Sequence, residues 1–301
     1  MVEFLQKKLG HEKLILLKIF SYSCMNCLRS FAFIRKINDK YRKYGLITVI
    51  VHPPEWKFEK KKSNVLCALK KYNIRIPIII DRNKKVIEKL GIDFWPAQIL
   101  LKTNFPPLIE RWKFRCGKTK AKPMKGKNAK PINGTFVKIA YKHIGEGNYK
   151  ELENKIIKLL KINPDKVFKK VFRKEPSYSK FPSVYCGKRK NGKIKLLGQK
   201  IKLKFNVIYT DKNWIQRQEY IKSVADKASL EIASKGRIIN FVAESLLQKK
   251  IKVDVKVNNY IKTIMVGKPR LYTLIELKSS KLNKLRLISD PNLAIYSFSF
   301  Q

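Results

Sequence analysis

The first half of the chain alternates between short apolar runs and longer stretches in which apolar side chains recur every three or four residues. The run at 13–20 is typical of a buried strand, and the recurrence at 28–43 is typical of an amphipathic helix. This order predicts a mostly parallel central sheet with an antiparallel pair at its end, flanked by helices. Further strands are predicted at 46–52, 77–81, 97–102 and 135–143, and further helices at 63–73, 84–92 and 149–161.

The pattern changes after about residue 165. The recurrence of apolar residues every three or four positions mostly ends there. It is replaced by short runs, either apolar or alternating between apolar and polar residues, that are separated by turn residues. Seven or more short strands of this kind predict a β-sandwich. The runs lie at 200–209, 228–234, 237–244, 251–257, 271–277, 284–289 and 294–300.

Two domains are therefore predicted. An α/β domain occupies 1–165 and contains a basic insertion at about 115–131, which is rich in Lys, Gly and Pro. A polar and basic linker at 166–182 leads to the all-β domain at 183–301.

Charge is the unusual feature of the composition. The 301 residues include 68 Lys and Arg against 22 Asp and Glu, a formal net charge of +46. Such a surface attracts polyanions, nucleic acid among them. Because lysines recur along the whole chain and form no single arm, we interpret them as a compositional bias that predicts non-specific, salt-dependent polyanion contacts.

Neither an export signal nor a membrane span is predicted. The run at 14–20 is short, carries Lys18 and lacks a small-residue cleavage site, so it is interpreted as a strand. No run of 18 apolar residues occurs. The five cysteines are irregularly spaced and do not form a disulfide framework. We therefore expect a cytoplasmic protein.

Cys24 and Cys27 stand between a predicted strand and a predicted helix. A helix N-terminus stabilises a thiolate through its free N–H groups and its partial positive charge, which favours a redox pair. The pair has two alternative interpretations, half of a zinc site and two ordinary core thiols. Zinc would need further ligands, and Cys67, Cys116 and Cys186 are isolated in the sequence. No metal and no cofactor are predicted.

The motif FSYSCMNC is followed by a helix, by GL, and by a strand that ends in VHPPE, and the pattern continues through IPIIID, FWPAQIL and IGEGNYKELENKIIKLL. Over 13–161 this pattern resembles the thioredoxin-like modules of the TlpA/DipZ type, which also occur fused to NHL-repeat proteins. The later segments FPSVYCGKRKNG, KPRLYTLIEL and LAIYSFSF resemble the β-sandwich that follows this module in DipZ-like proteins. The resemblance implies a thioredoxin-like α/β fold followed by a jelly-roll-like sandwich.

The resemblance also implies roles for individual residues. Cys24 matches the cysteine that attacks a substrate disulfide, and Cys27 matches the resolving one. Pro96 matches a proline that the fold holds in a cis peptide opposite the cysteines. Glu55 matches an acid at the mouth of the site, where a carboxylate can accept the proton that leaves Cys27.

Other residues near the motif have weaker assignments. Tyr22, Trp56 and Trp95 are candidates for an apolar rim that binds substrate. Arg29 either pairs with an acidic partner or coats the helix, and we favour coating. In the predicted helix at 63–73, apolar Val65, Leu66, Leu69 and Tyr72 are expected to face inward and Cys67 to be a buried thiol. Cys186 is expected to be structural.

The predicted function is thiol–disulfide exchange with protein disulfide or dithiol substrates and a further electron donor or acceptor. The alternative is a non-catalytic binding or scaffold protein that uses the fold and the basic surface to contact polyanions or partner proteins. Peroxide reduction is a weaker alternative, because it needs a lone peroxidatic cysteine. The sandwich is expected to bind carbohydrate or protein.

Overall fold

A computed structural model describes residues 13–104, 136–163, 181–198, 202–247 and 249–301. The described residues form two compact units. The first falls in the ranges Met1–Glu55 and Leu69–Pro176, and the second in Trp56–Ala68 and Ser177–Gln301. The predicted insertion at 115–131, with Cys116, and residues 166–180 of the predicted linker lie outside the described residues.

The first unit is built on a five-stranded sheet with the strand order β3-β2-β1-β4-β5. β1 pairs with β2, and β2 with β3, in parallel, whereas β4 and β5 run antiparallel to their neighbours. This is the thioredoxin-like arrangement that the sequence predicts. The strands are β1 (Lys13–Ile19), β2 (Leu46–His52), β3 (Ile78–Ile80), β4 (Ala97–Asn104) and β5 (Phe136–Ile144).

Four α-helices occur among the described residues: α1 (Met25–Tyr41), α2 (Lys62–Lys71), α3 (Lys85–Lys89) and α4 (Tyr149–Leu159). Short 3₁₀ turns lie at Arg42–Tyr44 and Lys57–Lys60. None of the helices in the described part of the chain has the length and apolar character needed to cross a membrane.

The two faces of the five-stranded sheet carry different helices. On one, Phe20 contacts Phe31 of α1, and α1 in turn packs on α4 through the stacked rings of Phe33 and Tyr149. We call this the α1 face. The opposite face, which we call the α3 face, packs against α3 through an apolar cluster that includes Ile87. Its strand residues are Ile15, Leu17, Ile19, Val49, Val51, Ala97, Ile99 and Leu101.

The predicted inward face of helix α2 is partly wrong. Val65 and Leu69 are buried as predicted, but Leu66 is 47% exposed and Cys67 is also exposed. Consecutive helical residues are separated by about 100°, so a narrow buried stripe through 65, 68 and 69 leaves positions 66 and 67 outside it.

The second unit contains a ten-stranded, mostly antiparallel sheet. Seven of its strands follow the order β13-β12-β14-β11-β15-β10-β9. The other three pair beside this path: β6 with β15, β8 with β11, and β7 with β8. A short 3₁₀ turn lies at Lys188–Lys190. The strands are β6 (Val184–Tyr185), β7 (Ile194–Leu196), β8 (Ile208–Thr210), β9 (Trp214–Gln216), β10 (Ile221–Ser223), β11 (Ala228–Ser245), β12 (Ile251–Val257), β13 (Tyr260–Val266), β14 (Arg270–Ser289) and β15 (Leu293–Phe300).

Two pairs of predicted strands are single long strands in the structure. The predicted runs at 228–234 and 237–244 form β11, and those at 271–277 and 284–289 form β14. The register between β11 and β14 shifts beside Gly236, whose φ of +146° strongly favours glycine. Residues from both halves of these strands share one apolar core, so the predicted β-sandwich is confirmed and the division of each long strand into two was wrong. The predicted run at 200–209 was also too long, because the strand there, β8, begins only at residue 208.

Candidate functional site

One edge of the five-stranded sheet brings together the segments that hold the site residues predicted in the first unit. Ile19, the last residue of β1, pairs with Val51 of β2 on one side and with Ala97 of β4 on the other. The segments that follow β1 and β2 and the segment that precedes β4 therefore meet at this edge. Gly145 lies there too, since its N–H donates to the carbonyl oxygen of Pro96 at 2.7 Å.

Cys24 is the N-cap of the 17-residue helix α1. Its backbone is extended, and its Sγ accepts a hydrogen bond from the N–H of Cys27 at 3.3 Å. The first turn of α1 contains no acidic residue that would compete for this positive end. Cys24 is partly exposed, so its sulfur sits where a helix terminus can stabilise a thiolate and where a substrate can reach it.

Cys27 lies one turn into α1 and is fully buried. Burial and, next, the hydrogen bond with Cys24 raise the pKa of the Cys27 thiol well above its usual range, while Lys18 acts in the opposite direction. Cys24 and Cys27 are not bonded to each other. A partly exposed first thiol and a buried second thiol form the arrangement that disulfide exchange needs, with one sulfur for attack and one for resolution.

Lys18 is a functional candidate that the sequence reasoning missed. It lies in β1, its side chain is fully buried, and its Nζ has no hydrogen-bond partner among the described residues. Burial lowers the pKa of Lys18 to about 8, and the nearby Cys27, Cys24 and Glu146 oppose that shift. The available signal was a single lysine inside an otherwise apolar strand, which we used only to argue against an export signal.

Further buried polar groups lie on the same face as Lys18. Gln98 pairs with Lys18 across β4, and Thr48 lies two positions before Ile50, the β2 partner of Lys18. The amide nitrogen of Gln98 and the hydroxyl of Thr48 also lack partners among the described residues. The α1 face thus contains a strip of unsatisfied polar groups, whereas buried polar groups elsewhere in proteins are normally hydrogen-bonded.

His52 extends this strip to the end of β2. Its ring is fully buried and stacks on Tyr22, with the ring centroids 5.4 Å apart. Burial lowers the pKa of His52 to about 4, so the imidazole is neutral at physiological pH. It is therefore an uncharged member of this strip at pH 7.

The interpretation that Arg29 merely coats the helix is wrong. Its Nε and Nη2 donate to the two carboxylate oxygens of Glu146 at 2.7 and 2.5 Å, a bidentate pair. The Glu146 carboxylate is nearly buried. This pair joins the second turn of α1 to the segment that follows β5, on the side of the sheet where the cysteines lie.

Glu55 and Trp95, both named from the sequence, are brought together at the sheet edge. The indole N–H of Trp95 donates to Oε2 of Glu55 at 3.2 Å, and Glu55 is largely buried. The peptide bond between Trp95 and Pro96 is cis. Their catalytic and substrate-binding roles stay predictions.

The other two candidates for a substrate rim are buried. Tyr22 is 1% exposed beneath His52 in the first unit. Trp56 belongs to the second unit, is 2% exposed, and contacts the ring of Tyr296 with centroids 5.1 Å apart. This burial does not favour a rim role for either residue, which stays a prediction.

The described residues contain no group of three or more His, Cys, Asp or Glu side chains arranged to hold a metal ion. Cys186 is buried in the second unit, and burial raises its thiol pKa well above the usual range.

Comparison with known proteins finds thioredoxin-like relatives. Residues 188–300, in the second unit, match the family model described as "Thioredoxin like C-terminal domain". Protein DipZ of Mycobacterium bovis is 33% identical over 89 residues, which are 30% of this chain and 13% of DipZ. The resemblance to thioredoxin-like proteins of the DipZ type is confirmed. NHL repeat-containing protein 2 of Bos taurus is 31% identical over 90 residues, 30% of this chain and 12% of that protein.

The chain spans only a small part of these relatives, so the thioredoxin-like resemblance concerns modules and not whole proteins. Among solved structures, StoA from Bacillus subtilis has a TM-score of 0.32 and 14% identity, covering 48% of this chain and 84% of StoA. The fold of the thioredoxin-like unit is assigned from its own strand order.

Proposed function

We propose that this protein is a thiol–disulfide oxidoreductase in which Cys24 attacks and Cys27 resolves. The observation that carries the proposal is the position of Cys24 as the partly exposed N-cap of a long helix, with Cys27 fully buried one turn deeper. The helix terminus stabilises a thiolate at Cys24, and burial shields the thiol of Cys27 from competing reactions. The resemblance to DipZ-type modules supports the same activity.

The exchange proceeds in two displacement steps. The Cys24 thiolate attacks one sulfur of a substrate disulfide, forming a mixed disulfide and releasing the other substrate sulfur as a thiolate, which takes a proton from water. Cys27 then loses its proton and attacks Sγ of Cys24. This forms the Cys24–Cys27 disulfide, releases the second substrate sulfur and transfers two electrons to the substrate in total. The reverse sequence oxidises a substrate dithiol.

Neighbouring residues are proposed to assist these steps. Glu55 accepts or relays the proton of Cys27 at the sheet edge, and its bond to Trp95 fixes the carboxylate. Trp95 and Pro96 lie just before β4, where an extended substrate can pair with the backbone. Protein disulfides or dithiols are the proposed substrates, and a separate electron donor or acceptor restores the pair.

The proposal is tested with a disulfide-containing peptide as substrate. Wild-type protein in a dithiothreitol buffer is expected to reduce the peptide catalytically, and Cys24→Ser to lose this activity by at least about 100-fold, because the nucleophile is removed. Once dithiothreitol has been removed, reduced Cys27→Ser mixed with the peptide is expected to accumulate a mixed disulfide between Cys24 and the peptide, which mass spectrometry detects, because no resolving thiol is present.

Cys67→Ser is the matched control. This cysteine is exposed on helix α2 and is expected to contribute nothing to turnover. Turnover that survives Cys24→Ser, or a mixed disulfide that forms on Cys67, would contradict the proposal. Either result would mean that a cysteine other than Cys24 carries the exchange. A wild-type protein without turnover would leave the non-catalytic alternative, in which the fold and basic surface only bind partners.

A further inference from the structure

We propose that the buried side chain of Lys18 is the cation that stabilises the thiolate form of the Cys24–Cys27 pair and so favours its reduced state. This inference rests on the proposed function, because it concerns the same dithiol. It goes further by assigning an electrostatic role to a residue outside the C-x-x-C motif and by giving the direction in which that residue shifts the redox equilibrium.

The position of Lys18 in the sheet carries the argument. Residues alternate between faces along a strand, and Leu17 and Ile19, on either side of Lys18, both belong to the apolar cluster of the α3 face. Lys18 therefore points to the α1 face, together with Phe20, which contacts Phe31 of α1. The lysine side chain lies beneath the helix whose N-terminus holds the two cysteines.

The burial of the Lys18 ammonium group costs free energy that its apolar packing contacts do not offset. Its ammonium group is removed from water with no hydrogen bond to the described residues, and burying an unpaired cation is strongly unfavourable. The opposite charges that would offset the cost are the thiolates of Cys27 and Cys24 and the carboxylate of Glu146. Because Arg29 already pairs with Glu146, the thiolates are the remaining anions for Lys18.

The charge on Lys18 and the charge on the pair are therefore linked. Lys18 lowers the pKa of Cys27 against the effect of burial, and the two thiols raise the pKa of Lys18 in return. His52, on the same face, is neutral at pH 7 and therefore adds no second positive charge to this face. Since the thiolate exists only in the reduced form, a cation that stabilises it raises the reduction potential of the pair.

The test compares Lys18→Met and Lys18→Gln, which remove the charge, with Lys18→Arg, which keeps it. Reduced full-length proteins are alkylated with iodoacetamide between pH 5 and 10, and labelling of the pair is followed by mass spectrometry. In the neutral variants, the pH of half-maximal labelling rate is expected to rise by about one unit, the lower end of the effect of a nearby opposite charge. Leu16→Met, a near-isosteric change in the same strand, is the packing control.

The same variants are titrated in glutathione buffers at pH 8. Loss of the cation is expected to disfavour the reduced state by up to about tenfold, which for a two-electron couple corresponds to a potential lower by about 30 mV. Lys18→Arg and Leu16→Met are expected to stay close to the wild type in both measurements.

Unchanged labelling profiles in folded neutral variants would overturn the proposal, as would an equal shift in Leu16→Met. If both neutral variants failed to fold, Lys18 would be a structural requirement and the proposal would also fall. These results differ from a failure of the proposed function, in which wild-type protein itself shows no reversible two-electron transition.

Discussion

The two faces of the five-stranded sheet both bury apolar residues but differ in the polar residues that they bury. The α3 face buries apolar strand residues such as Leu17, and Asp81 at the end of β3 accepts hydrogen bonds from backbone N–H groups in the first turn of α3. The α1 face, one position away along each strand, buries Lys18, His52 and Gln98 beneath the helix that holds Cys27. Titratable groups are therefore buried on both faces, but Asp81 is hydrogen-bonded, whereas Lys18 and His52 have side-chain nitrogens without partners among the described residues.

This difference indicates where stability and chemistry are located in the sheet. Apolar burial stabilises the fold in proportion to the area removed from water. Buried polar groups without partners reduce stability, and such groups concentrate at functional sites because they adjust the pKa values of reacting groups. We therefore expect substitutions on the α3 face to affect mainly stability, and those on the α1 face to affect the thiols.

The largest expected effect on stability comes from the α3 face. Leu17→Ala removes a fully buried side chain, and such changes cost about 2–5 kcal/mol of unfolding free energy. Urea denaturation of the full chain measures this loss. The pH profile of thiol alkylation is expected to stay as in the wild type, and a shifted profile would mean that the two faces are not separable.

The next effect is a loss of stability in mild acid caused by His52. Because its folded pKa is about 4 and the unfolded value is about 6.5, the unfolded chain binds more protons between these pH values. Stability therefore falls as pH drops from 6.5 to 4, by up to about 3 kcal/mol. Urea denaturation at the two ends of this range measures the loss. His52→Phe is expected to remove this part of the pH dependence, and an undiminished slope in the variant would contradict the assignment.

Lys18→Met is expected to act in the opposite direction from Leu17→Ala, although the two residues are neighbours. Replacing an unpaired buried cation by an apolar side chain of similar length should raise the unfolding free energy by roughly 1–3 kcal/mol at pH 7. The gain should shrink as pH rises from about 8 toward 10.4, because Lys18 then loses its proton in the folded state and its unfavourable charge disappears. A destabilised variant at pH 7 would show that the lysine is satisfied by its surroundings.

The smallest effect concerns the pair of Arg29 and Glu146. Because the arginine is partly exposed, solvent weakens the interaction, and Arg29→Met should cost only about 1 kcal/mol in urea denaturation. Arg35→Met, at an exposed position on the same helix, is the control and should be close to neutral. Equal losses of unfolding free energy in the two variants would mean that the bidentate contact of Arg29 with Glu146 does not stabilise the fold.

Much of the fold was predictable because it follows from local patterns. The apolar runs predicted the five strands of the first unit, and the strand-to-helix junction predicted Cys24 at a helix start. The long strands β11 and β14 were each predicted as two, since an interruption in the alternation can mark either a turn or a register shift such as the one at Gly236. The residues of β14 that pair with β11 are far away in the sequence, so no local pattern distinguishes a turn from a register shift.

The candidate site was only partly predictable for the same reason. The motif revealed Cys24 and Cys27, but the contribution of Lys18 depends on which face of β1 lies beneath α1 and on how fully the sheet is covered. The pairing of Arg29 with Glu146 joins residues 117 positions apart, so it required the folded structure. Sequence reasoning identified the thiols that are proposed to react, and the structure identified the buried lysine that is proposed to adjust their charge.

The most direct test of this account is a redox titration of the purified protein, with the state of each cysteine read by alkylation and mass spectrometry. We expect one reversible two-electron transition confined to Cys24 and Cys27, and its loss in Cys24→Ser, while Cys67 stays reduced throughout. If Cys24 and Cys27 remain dithiols across the whole range of buffers, or oxidise no more readily than Cys67, the catalytic account is wrong.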